Sequence, residues 1–70
     1  MFLLSKYAHS LLQDAKGKSP SQLRELVRRM GYELDIYEYC EGDCTLYIAY
    51  NPYNGDNILL KFKKGKWGIG

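Results

Sequence analysis

The chain has 70 residues, 46% of them apolar and 26% charged, and a formal net charge of +2. That length holds one small domain, and the composition is that of a folding globular chain rather than a disordered or fibrous one. So mild a charge argues by itself for neither a DNA-binding nor a membrane-surface protein.

The opening "MFLLSKYAHSLL" lacks the basic start and small-residue cleavage site of a signal peptide, and Lys6 and His9 interrupt its apolar run. A first helix is therefore expected over residues 1–16. Phe2, Leu3, Leu4, Tyr7, Leu11, Leu12 and Ala15 recur at spacings of three and four, on one stripe. Such a stripe can exceed what a small sheet shelters, so the chain is expected as a monomer or as a homodimer through this amino-terminal helix. Nothing approaches the roughly 20 apolar residues of a membrane span. No membrane partner is expected, and the location expected is soluble and cytoplasmic.

"SPSQ" announces a second helix over residues 19–31. Ser19 is a good N-cap, Pro20 suits the first helical position and Gln22 completes a capping box. Leu23, Leu26, Val27 and Met30 form its apolar stripe, and Gly31 is its stop.

From Tyr32 the period becomes two, and residues 32–70 read as an antiparallel sheet. Leu34, Ile36 and Cys40 alternate with polar residues and tyrosines, "EGD" turns the chain, and Cys44, Leu46, Ile48 and Tyr50 alternate on the way back. This register sets Cys40 opposite Cys44, Ile36 opposite Ile48 and Tyr37 opposite Tyr47. After the turn-rich "NPYNGD", the strand "NILLKFK" carries Ile58, Leu60 and Phe62 inward. "KG" then returns the chain with Trp67 opposite Phe62 and Ile69 opposite Leu60. The fold expected is α+β: two N-terminal helices packed on one face of a four-stranded antiparallel β-meander. The core expected is Leu23, Leu26, Val27, Leu34, Ile36, Leu46, Ile48, Leu60, Phe62 and Trp67.

The other face of that sheet would place Glu33 and Asp35 at one edge, Tyr37, Tyr39 and Tyr47 in the middle, and Lys61, Lys63 and Lys66 at the far edge. Tyrosine buries much area at low entropic cost and is enriched at interface hot spots. Tyr37, Tyr39, Tyr47, Asp35, Lys61 and Lys63 are thus the candidate partner-binding residues, with a protein partner expected. Aromatic rings beside lysines could instead stack unpaired bases and hold phosphates, which gives single-stranded nucleic acid as the alternative. Acids beside the rings oppose it.

No cofactor or metal is expected. "CEGDC" offers two of the four ligands of a zinc site, far from the sole histidine, His9, and its spacing is not that of a thioredoxin-like pair. Cys40 and Cys44 are expected as reduced thiols packed opposite one another, close enough for a bridge if the geometry suits. The element order from "LRELVRRMGYEL" into the strands resembles that of HicA-type toxin ribonucleases, which would imply a double-stranded-RNA-binding-like fold. The glycine, serine and histidine cluster of those toxins is absent from this chain, and a ribonuclease using His9 ranks third. The expected function is a non-enzymatic binding module: an adaptor, regulator or small inhibitor.

Overall fold

The computed structural model describes residues 6–70, with side chains from Ser10 onward. Phe2, Leu3, Leu4, the Tyr7 side chain and a dimer contact through them lie outside the described residues. The order is α1 (Lys6–Ala15), α2 (Pro20–Arg28), β1 (Glu33–Cys40), β2 (Cys44–Tyr50), β3 (Asn57–Lys63) and β4 (Lys66–Ile69). The fold is α+β, with both helices N-terminal to a four-stranded antiparallel meander of order β1-β2-β3-β4.

Each helix presents an apolar stripe set by the four-residue repeat. Leu11 and Ala15 of α1 and Leu23 and Val27 of α2 are fully buried. The Ser19 hydroxyl accepts from the Gln22 amide at 3.3 Å, while the Gln22 side chain accepts from the Ser19 amide at 2.9 Å. This reciprocal pair satisfies two donors that the first turn leaves over. At the other end Gly31 takes φ 85°, which L side chains rarely adopt. That turn lets the amides of Tyr32 and Gly31 donate to the carbonyls of Val27 and Arg28 at 2.9 and 3.0 Å.

Helix α1 lies against β4 and α2 against β1. The Trp67 indole N–H donates to the Lys18 carbonyl at 2.9 Å, tying the last strand to the link between the helices. Arg24 Nε donates to the Leu34 carbonyl at 3.2 Å, so α2 covers part of the exposed edge of β1. An edge carbonyl so occupied is withdrawn from pairing with other chains.

The β3–β4 hairpin has the expected register, with Phe62 opposite Trp67 and Leu60 opposite Ile69. Lys64 (φ 51°) and Gly65 (φ 77°) both take the left-handed conformation that a two-residue turn needs to match strand twist.

The β1–β2 pair departs from expectation. Cys40 stands opposite Cys44, but Ile36 is opposite Tyr47 rather than Ile48, and Tyr37 is not opposite Tyr47. Between Ile36 and Glu38, β1 advances two residues where β2 advances one, so Tyr37 is the extra residue of a β-bulge. One inserted residue reverses the face of the whole partner strand relative to β1. The helix-covered face therefore carries Leu34, Tyr47, Ala49, Ile58 and Leu60, all buried, with Phe62, Trp67 and Ile69 packed partly against them. Leu46 and Ile48, expected in the core, face away from the helices. Ile36 registers with the covered face yet is 48% exposed, on an edge strand. The bulge gives Tyr47 a place in an aromatic cluster: its ring lies 5.3 Å from Trp67, which lies 4.5 Å from Phe62. Alanine at 49 leaves room for the helices to approach.

Candidate interaction surface

On the face turned away from α1 and α2, the register aligns four rows of side chains across the strands. Asp35 of β1 stands beside Ile48 of β2 and Leu59 of β3, and Glu38 stands beside Leu46, Lys61 and Gly68. Cys40 and Cys44 align with Lys63 and Lys66, and Glu33 aligns with Tyr50 and Asn57. The surface thus runs from acids on β1, through an aliphatic band on β2 and β3, to lysines on β3 and β4. Leu59 is exposed, and Leu46, Ile48 and Tyr50 are half-buried by their neighbours. Gly70 lies against this band. A Cβ there would come within 2.8 Å of Leu46 Cδ2 and 3.2 Å of Leu59, so only glycine fits without displacement.

Asp35, Lys61 and Lys63 are exposed on this face, as expected. The Asp35 carboxylate accepts from the Tyr50 hydroxyl at 3.0 Å. This hydrogen bond, together with the nearby negative charge, raises the Tyr50 pKa above its ordinary value.

The tyrosines are distributed otherwise. Tyr47 is a core residue, 9% exposed, and is unavailable to a partner. Tyr37 sits at the bulge, 57% exposed. Tyr39, 75% exposed, is opposite Thr45 and registers with the helix-side face, at the edge of the sheet. Asp35 and the two lysines therefore share one surface that the three rings do not. In place of those rings stand Leu46, Ile48 and Tyr50, which a strict alternation count assigns to the core. The signal that could have found them is the second apolar set on β2, Tyr47 and Ala49, which competes for the same interior.

Cys40 and Cys44 are joined in a disulfide, with Cα atoms 5.0 Å apart, where two reduced thiols were expected. The bridge closes the end of the β1–β2 hairpin on the same outward face. Among the described residues no group of three or more His, Cys, Asp or Glu side chains is placed to hold a metal ion, and no helix is long and apolar enough to cross a membrane. A cleft of about 300 Å³ beside Trp67 is lined by Lys16, Gly17, Gly65 and Lys66, at the opposite edge from the acids.

The loop between β2 and β3 is built by its own side chains. Asn51 Oδ1 accepts from the amides of Tyr53 and Asn54, and Asn54 Oδ1 from that of Asp56. The Tyr32 hydroxyl donates to Asp56 at 3.1 Å, fixing this loop to the exit of α2. Burial first, and then the Asp56 carboxylate, raise the Tyr32 pKa.

Comparison with protein-family models, curated proteins and solved structures finds no match for the chain.

Proposed function

We propose that the protein is a non-enzymatic binding module whose partner is a protein, engaged through the outward face of the sheet. One observation carries the reading: an aliphatic band of Leu46, Ile48 and Leu59, on the side of the sheet turned away from the described helices, lies between an acidic edge and a basic edge. A central apolar strip with a charged rim is the usual anatomy of a protein interface, the strip supplying affinity and the rim supplying orientation. Tyr37 and Tyr39, exposed on β1, border this face without belonging to it. An adaptor, regulator or inhibitor would all use such a surface. Single-stranded nucleic acid fits it less well, because Tyr47, the ring that would stack bases beside the lysines, is in the core, and the carboxylates of Asp35 and Glu38 border the band. A cytoplasmic location requires Cys40 and Cys44 to be reduced there, since disulfides persist in oxidising compartments.

The test is capture from native lysate, with and without nuclease treatment, using the wild-type chain, Ile48→Glu, and Glu25→Lys on the exposed side of α2. A specific protein retained by the wild type and Glu25→Lys, and lost with Ile48→Glu, is the expected result. Equal retention by all three would overturn the reading. Binding lost on nuclease treatment would transfer it to nucleic acid.

A further inference from the structure

The order of the outward face, acid then aliphatic then lysine, is antisymmetric across the sheet. From this we propose that the partner of this face is a second copy of the chain, an inference that rests on the binding role argued above. A two-fold axis parallel to the strands, lying between β2 and β3, turns one sheet over onto another and sets β1 of each copy over β4 of the other. The acid edge then meets the lysine edge at both rims at once, with Glu38 closest to the lysines and Asp35 over Gly70. Glu38 comes over Gly68 of the second copy, beside its Lys61 and Lys66, and Ile48 comes over its Leu59. A two-fold axis across the strands would instead set acids over acids, so the charges choose the orientation as well as the partner. Gly68 fits this arrangement: a Cβ there would meet nothing within 4 Å, so bare backbone and open space lie where the Glu38 carboxylate must pass to reach the lysines.

The size of the face sets the strength of the pairing. Strands about 4.8 Å apart, with same-face residues about 6.8 Å apart, give roughly 500 Å² from each copy. The total, on the order of 1,000 Å², is the low end for a specific interface, so the dimer is weak and reversible. Its rim contacts are exposed charges, so it weakens as salt rises.

The experiment is sedimentation equilibrium from micromolar to millimolar chain at low and high salt. It uses the wild type, an acid-reversed chain (D35K/E38K), a lysine-reversed chain (K61E/K63E) and an equimolar mixture of the two. The wild type is expected to self-associate more weakly at high salt. Each reversed chain alone should show at least about a tenfold rise in dissociation constant, and the mixture should recover association, because its rims are again opposite in sign. Recovery on mixing is an outcome that damaged folding cannot produce. Circular dichroism checks each fold, and Glu38→Lys and Lys61→Glu singly replace any double variant that fails to fold. A wild type that stays monomeric at millimolar concentration overturns the proposal. If that monomer still captures a cellular protein through Ile48, the self-pairing alone is lost and the binding face stands. Self-association that neither reversal alters also overturns it, placing the contact elsewhere on the chain.

Discussion

Ile36 stands directly opposite Tyr47, and the next paired residue of β1 is Glu38, opposite Leu46. The residue between them, Tyr37, has no partner of its own on β2. This single insertion decides which side of β2 is core and which is surface, and so separates three tyrosines that sequence alternation groups together. Replacing Tyr47 by alanine should cost on the order of 3 kcal/mol, as for a large core aromatic. Tyr39→Ala, at an exposed edge, should cost less than about 1 kcal/mol. Urea denaturation measures both, and the reverse order would mean that β2 is turned over.

Trp67 holds the sheet to the helices by packing and by its bond to the Lys18 carbonyl. Trp67→Phe keeps most of the ring contact and should lose about 1 kcal/mol with the hydrogen bond. Trp67→Ala should lose on the order of 3 kcal/mol or more, a large share of the stability of so small a domain. Equal unfolding midpoints for the two variants would show that the indole N–H, and not the ring, makes the difference.

Much of this fold is legible in the sequence because its signals are local. The capping box at Ser19, the stop at Gly31 and the turn at Lys64 and Gly65 each depend on a few adjacent residues, and the β3–β4 register follows from that turn. The bulge at Tyr37 is not local. It follows from competition between Leu46 and Ile48 on one side of β2 and Tyr47 and Ala49 on the other, which is decided by Trp67 and Phe62 on other strands. Asp35, Lys61 and Lys63 are legible as surface residues because β1 before the bulge and β3 keep the expected phase. Leu46 and Ile48, the β2 part of the aliphatic band, are not, because they belong to the strand that turns over.

The Cys40–Cys44 bridge spans one short turn, and the unfolded-chain constraint of so small a loop is worth about 2 kcal/mol. Reduction should lower the unfolding free energy by up to that amount while leaving the far-ultraviolet circular dichroism of the folded chain intact. Collapse of that spectrum on reduction would show that the bridge, and not the core, holds the sheet together.

The buried Tyr32 is held in its neutral form, so its pKa in the folded chain lies above that in the unfolded chain, ordinarily 10.0. Above the unfolded value the unfolded state loses its proton first, so stability falls with rising pH. The contribution of Tyr32 is fully present below about pH 10 and is lost as pH rises through the folded value. Urea midpoints from neutral to strongly alkaline pH should therefore decline more steeply for the wild type than for Tyr32→Phe. Parallel declines would assign the alkaline loss to other groups.

The central claim is that the side of the sheet turned away from the helices is the surface that binds. Amide and methyl chemical shifts of the labelled chain test it residue by residue, recorded free and with its ligand, whether a second copy reached by concentration or a captured protein. The account predicts that shifts move at Asp35, Leu46, Ile48, Leu59 and Lys61 and hold steady at Leu23 and Val27. Movement confined to the helices, with the aliphatic band of β2 and β3 unchanged, would contradict it.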